Sequence, residues 1–267
     1  MATSLTFDEH GAGIGAAWTA LRNNATRAGF DTAVPTCPGW TVRELVAHQG
    51  MVHRWATGIV RGEERRDTGH VEQEGLDSGD LLGWFDEGAK ALLAALAHAP
   101  DDLRVFFFLE DAPSPKRAWA RRQCHETTMH AVDAMSAALG RAPSAAETWI
   151  RPPHAVDGID ELLCGFLPRR GETVRSAPPR TVMVEATDTG HSWTLEIGTG
   201  PLVTTARAPA ERAERAEHAA EGDDGVTLLT GTAAQLYLGL WNRGDEIEST
   251  GPDFLPSWRR DMTVSWD

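Results

Sequence analysis

Between Arg122 and Asp133 the chain reads Arg-Gln-Cys-His-Glu-Thr-Thr-Met-His-Ala-Val-Asp. Glu126 and His130 stand four apart, so on a helix they are neighbours one turn along and present a carboxylate and an imidazole to the same side. His125 is adjacent in sequence, but at about 100° per residue it lies well around the helix from His130. The two histidines are five apart, so the His-Glu-x-x-His spacing of zinc proteases, which needs histidines four apart, is absent. A metal needs a further ligand, and His48, in Trp40-Thr41-Val42-Arg43-Glu44-Leu45-Val46-Ala47-His48, is placed to supply it. Two imidazoles and one carboxylate from a pair of helices leave a four-coordinate ion with an open position, the arrangement used for chemistry rather than for structure. Zinc suits the set, and so do iron and nickel. Such a site can activate water for hydrolysis or deprotonate a thiol, and spacing does not choose between them. Arg122, four before Glu126, and Asp133, three after His130, are placed to orient the ligands. The plainer alternatives are a core histidine at 48 and an exposed Glu126–His130 pair on a solvated helix.

The elements that must hold these residues follow from periodicity. Ile14, Ala17, Trp18, Leu21 and Ala25 recur every three or four residues, predicting a helix over 7–29 with Gly29 as its stop. Val34 to Trp40 is a turn-rich connection punctuated by Pro35, Pro38 and Gly39. Thr41 and Glu44 form a capping box, opening a second helix to about Gly62 on which Leu45, His48, Val52 and Trp55 share a face. Trp40 and Trp55 flank His48 and are candidates to line a pocket. The acidic stretch 63–79 is expected as a surface loop. A third helix runs from Leu81 to just before Pro100. Val105 to Leu109 reads as a strand or a buried plug. Ser114-Pro115 opens a fourth helix, closed by Gly140. Four long helices whose ligands converge inside make a bundle, where metal sites are commonly built.

Beyond Pro143 the pattern changes. Helical turns are expected at 145–150 and 159–167, with breaks at Pro152-Pro153 and Pro178-Pro179. Strands follow at 181–186, 192–197 and 202–205, the first two joined by a hairpin turn at Asp188-Thr189-Gly190. Ala208 to Glu221 reads as a solvated helix or linker. A strand at 226–229 leads through a second capping box, Thr232 with Gln235, into an apolar helix reaching about Arg243. Residues 247–249 and 262–266 are candidate closing strands. The chain is therefore an α+β protein of two domains, 1–150 and 151–267.

Composition narrows the function classes. A net charge of −14 excludes nonspecific nucleic-acid binding, which needs a basic stripe. No run of about 18 apolar residues and no basic start followed by an apolar stretch occurs, so neither a membrane partner nor a leader is expected, and the address is cytoplasmic. Cys37, Cys124 and Cys164 fit no disulfide framework or metal ribbon and are expected as reduced thiols.

Cys37-Pro38-Gly39-Trp40-Thr41-Val42 with Leu45-Val46-Ala47-His48 and His53-Arg54-Trp55, together with Arg122-x-x-His125-Glu126-x-x-x-His130-x-x-Asp133, resembles the maleylpyruvate isomerase family of mycothiol-dependent enzymes. Gly231-Thr232-Ala233, Leu238 to Arg243 and Thr250-Gly251 are similar to that family's C-terminal domain. The resemblance covers nearly the whole chain. It implies a DinB-like four-helix bundle followed by a small α/β, sterol-carrier-like domain, with a divalent metal such as zinc on His48, Glu126 and His130. It implies mycothiol as thiol cosubstrate, a small electrophilic substrate, and either cis–trans isomerisation of the maleylpyruvate type or thiol S-transfer. The family's functional arginine falls on Arg243, for which an ordinary helix C-terminal contact is the competing role. Trp40 and His125 join Arg122 and Asp133 as candidates to orient ligands or touch substrate. A metal-dependent hydrolase or amidase on the same bundle, or a non-catalytic metal-binding module, is the alternative.

Overall fold

The computed structural model describes residues 5–64, 66–109, 114–169, 175–209 and 225–262. One compact unit ends at Pro143 and a second begins at Ser144. The first is helical: α1 (Phe7–Ala28), α2 (Val42–Arg61), the short α3 (Thr68–Leu76), α4 (Leu81–His98) and α5 (Pro115–Leu139). Thr6 with Glu9 and Thr41 with Glu44 form capping boxes that satisfy the first amides of α1 and α2. Left-handed glycines, Gly62 and Gly140, close α2 and α5. Ser114 makes no side-chain cap bond, so Pro115 alone marks the start of α5. The core between these helices is built on Ile14, Ala56, Val60, Leu92, Leu96 and Trp119. α5 packs chiefly on α1, and α2 chiefly on α4.

One expectation for this unit is corrected, and the choice left open at 105–109 is decided in favour of the buried plug. Residues 63–79 are not a loop throughout. Asp67 accepts the His70 N–H at 2.7 Å and starts α3, which buries Val71 and Gly75. A side chain on Gly75 would run into the Trp84 ring. The helix has one narrow buried side, so its acidic composition masks its periodicity. Residues 105–109 form no strand. Trp119 Nε1 donates to the Phe106 carbonyl at 3.0 Å, and the Phe107 and Phe108 rings lie 5.3 and 6.0 Å from Trp119, so the segment is an apolar plug.

The second unit begins with a 3-10 turn (Ala145–Glu147) and α6 (Pro152–Asp160). Pro152 and Pro153 start this helix rather than break structure, because the first helical amides need no partner inside the helix. α6 passes through a π-helical stretch, Glu161–Phe166, to a last turn at Leu167–Arg169. The sheet contains β1 (Arg180–Ala186), β2 (Ser192–Ile197), β3 (Val203–Arg207), β4 (Val226–Gly231) and β5 (Glu248–Thr250), in the order β3-β2-β1-β4-β5. β1 and β4 are parallel and the other pairs antiparallel. α7 (Ala233–Leu240) follows β4, and Trp241 after it donates Nε1 to the Gly158 carbonyl of α6 at 3.2 Å. α7 ends before the expected Arg243, because Asn242 turns left-handed with φ 60° and the Arg243 amide folds back onto the Leu238 carbonyl at 2.7 Å. An unanticipated helix, α8 (Leu255–Asp261), buries Trp258. The expected strand at 262–266 lies outside the described residues except Met262, which caps α8. The expected helix at 208–221 likewise lies outside them from residue 210 onward. Among the described residues no helix is long and apolar enough to cross a membrane, and all three cysteines are free thiols.

Candidate metal centre

α5 is buried along nearly its whole middle, including Arg122, Gln123, Glu126, Thr127, His130 and Asp133. Ionisable and amide side chains avoid full burial unless they have partners or a task, so their partners define the candidate site. Donor atoms of His48, Glu126 and His130 all lie within 4.8 Å of one another. The His48 and His130 rings meet edge-on with centroids 5.3 Å apart. His130 Nε2 faces Glu126 Oε1 at 3.3 Å, and that buried oxygen has no well-formed hydrogen bond. Two imidazoles and a carboxylate with an under-satisfied buried oxygen, converging from two helices, fit a divalent ion.

Each donor is held by a partner. Arg122 Nη2 donates to Glu126 Oε2 at 2.8 Å, leaving Oε1 turned toward the histidines. His130 Nδ1 lies 3.0 Å from Asp133 Oδ2, so Asp133 fixes the ring and directs Nε2 to the cluster, the carboxylate–histidine arrangement common in metal sites. Asp133 is itself held: Thr36 Oγ1 donates to Oδ1 at 2.6 Å and Cys37 Sγ to Oδ2 at 3.3 Å. Cys37, His130 and Asp133 also lie within metal-ligand distance of one another, and these hydrogen bonds account for their approach. His48 Nδ1 has Glu72 Oε1 of α3 at 3.7 Å.

The electrostatics follow from the geometry. Burial works against a charged Glu126, yet the nearby His130 imidazole and the Arg122 charge outweigh it and hold the carboxyl well below its ordinary range. Burial also works against protonated His130, but the Asp133 carboxylate, which accepts from Nδ1, and the Glu126 carboxylate beside Nε2 raise the metal-free ring to about 9.

Trp40 covers the cluster. Cys37-Pro38-Gly39-Trp40 is a turn in which the Trp40 N–H donates to the Cys37 carbonyl at 3.1 Å and Gly39 takes φ 92°. A type II turn requires that positive φ, hence glycine after proline. The Trp40 ring sits 4.8 Å from His48 and stacks 6.1 Å from His130.

The structure thus brings His48, Glu126, His130, Arg122, Asp133 and Trp40 together. It does not bring His125, whose ring meets His10 of α1 at 6.3 Å. Trp55, expected beside His48, packs edge-on to Trp119 at 5.2 Å instead. Arg243 donates Nη1 to the Trp241 carbonyl at 2.8 Å, a helix C-terminal contact. The sequence carries no signal for Glu72, which lies in the supposed loop, and none for Thr36 beyond its place in the turn before Trp40; Cys37 stands in the motif that resembles the family but without an assigned role.

The family model described as the Mycothiol maleylpyruvate isomerase N-terminal domain matches residues 12–135, and the MDMPI C-terminal domain matches residues 153–256. The crystal structure of the mycothiol-dependent maleylpyruvate isomerase superposes with a TM-score of 0.60 at 14% identity, covering 94% of this chain and 96% of that one. A histidine-to-alanine mutant of that isomerase covers the same shares at 13% identity with a TM-score of 0.62. At such identity the likeness speaks for the fold. No curated protein sequence matches the chain. With both domains matched in order along most of its length, this chain belongs to the mycothiol-dependent maleylpyruvate isomerase family.

Proposed function

We propose that the chain is a metal- and mycothiol-dependent isomerase, with the divalent ion, zinc by preference, on His48, Glu126 and His130. The observation that carries the reading is the convergence of these three donors within 4.8 Å in a chain matched to the family over both domains. The ion supplies a Lewis acid that keeps a bound thiol deprotonated near neutral pH, against an ordinary thiol pKa of about 8.5.

The chain's own residues do the rest. Arg122 keeps Glu126 ionised and directed, Asp133 sets the His130 tautomer, and the Trp40 indole covers the imidazoles and excludes water. A thiolate held there would supply a nucleophile for one carbon of a cis double bond conjugated to a carbonyl, opening that bond to rotation and leaving again as the C–S bond breaks, with no net change in protons or electrons. We assign Arg243 the neutralisation of a substrate carboxylate or the developing enolate. If another group leaves, the thiol stays attached, and the same residues serve S-transfer. The reading places the enzyme in the cytoplasm, where thiols stay reduced, in keeping with its three free cysteines.

Elemental analysis tests the first step. About one divalent ion per chain, lost in both His48→Ala and Glu126→Ala, is expected. Isomerisation of a maleylpyruvate-type substrate should then require mycothiol. Turnover of an ester or amide without any thiol would instead identify a hydrolase.

A further inference from the structure

The ligands come from α2 and α5, yet these two helices are not each other's main packing partners: α2 rests chiefly on α4 and α5 on α1. α2 and α5 also touch directly, and polar contacts between them are directional in a way that apolar packing is not. Such contacts can fix His48 opposite Glu126 and His130.

Directly beneath the metal cluster lies a polar one. Gln49 and Thr127 each follow a ligand in sequence, so about 100° of helical rotation turns them from the site into the bundle interior. The Gln49 amide donates to Thr127 Oγ1 at 3.2 Å and lies 2.8 Å from His53 Nε2, which lies 3.0 Å from the same hydroxyl. Thr127 Oγ1 in turn donates to the Gln123 carbonyl one turn back, at 2.7 Å. All of Gln49, His53, Gln123 and Thr127 are 0% exposed. With the Thr127 hydroxyl hydrogen on the Gln123 carbonyl, His53 Nε2 carries no proton and accepts from the Gln49 amide, so the imidazole is neutral and its 3.0 Å approach to Thr127 Oγ1 is a packing contact. Its surroundings agree: the ring stacks on Phe85 at 5.5 Å, and burial, with Arg54 close by, lowers His53 to about 3. Such a group is costly to bury for stability alone, since an apolar trio of the same shape would serve. Hydrogen bonds differ from apolar packing in that they specify one arrangement.

We propose that Gln49, His53 and Thr127 are positioning residues, a neutral hydrogen-bonded clamp that locks the register of α2 against α5 and so sets the His48–Glu126–His130 geometry for metal. The inference rests on the metal reading above and goes beyond it in assigning these three residues.

The test measures zinc affinity of the metal-free protein by competition with a chromophoric chelator, and separately the thermal midpoint of each metal-free variant. Thr127→Val removes the clamp hydroxyl. Thr57→Val is the control, since the Thr57 hydroxyl is also buried but donates within α2, to the His53 carbonyl at 2.7 Å. Thr127→Val should weaken zinc binding about ten- to hundred-fold, Thr57→Val by less than about threefold, and Thr127→Ser should restore the wild-type value. Equal affinities in the two valine variants, or no rescue by serine, overturn the proposal. If Thr127→Val does not fold, Gln49→Met is read against the same control with the same two outcomes. A wild type that binds no zinc overturns the metal reading itself, whereas a binding wild type with unaffected clamp variants overturns the clamp alone.

Discussion

Replacing Asp133 by Asn keeps the shape beside His130 and removes one charge, which isolates what that carboxylate does. His130 is raised from 6.5 to about 9 in the metal-free protein, worth about 3 kcal/mol in favour of the charged ring at about 1.4 kcal/mol per pH unit. Burial opposes this, and Asp133 at 3.0 Å and Glu126 at 3.3 Å supply it. If Asp133 contributes half or more of that rise, the Asn variant should titrate below about 7.8. Metal binding must displace the proton on Nε2. At pH 8 the wild type should therefore release about 0.9 proton per ion bound, and Asp133→Asn about 0.4 or fewer. Calorimetry in two buffers of different ionisation enthalpy reads this number directly. The Asn carbonyl can still accept from Nδ1, so the ring stays oriented and the affinity loss at high pH should be no more than about ten- to hundred-fold. Equal proton release from wild type and variant would refute the assignment of Asp133 as the support of His130, whatever happens to activity.

Other outcomes follow from the same geometry. Because folded His130 holds its proton to about 9 and the unfolded chain only to 6.5, the metal-free protein should lose stability as pH rises from 6.5 through 9, measured by urea unfolding across that range. His53 works in the opposite direction. Its folded value near 3 against 6.5 means that its contribution is present above 6.5 and is lost as pH falls toward 3, an acid destabilisation that His53→Gln should reduce. Arg122→Leu leaves the buried Glu126 carboxylate without its 2.8 Å partner and should cost about 3–5 kcal/mol of metal-free stability. Saturating zinc should recover part of that loss, and a denaturation curve unchanged by zinc would count against Glu126 as a ligand. Gly50→Ala pits helix propensity, worth about 1 kcal/mol in favour of alanine, against a Cβ driven into the Trp84 ring. The clash should win, lowering the thermal midpoint and shifting tryptophan fluorescence.

Features that depend on neighbours along the chain are legible in the sequence. Capping boxes at Thr41 and Thr232, the stops at Gly29, Gly62 and Gly140, and the hairpin at Gly190 are local chemistry, and the structure keeps each of them. The four-residue spacing of Glu126 and His130 sets their shared face for the same reason, and so did the placement of Arg122 and Asp133 beside them. His48 is tied to them in the sequence only by its apolar face and the family resemblance, because nothing local relates two positions 78 residues apart. Only tertiary structure decided that α3 swings Glu72 to within 3.7 Å of His48, that Trp40 rather than Trp55 covers the imidazoles, and that Thr36 and Cys37 hold Asp133. The buried triangle of Gln49, His53 and Thr127 is hidden from periodicity for a physical reason. A polar residue turned inward looks, in sequence, like one turned to water, and only the packing of α2 across α5 shows that its partner is another helix.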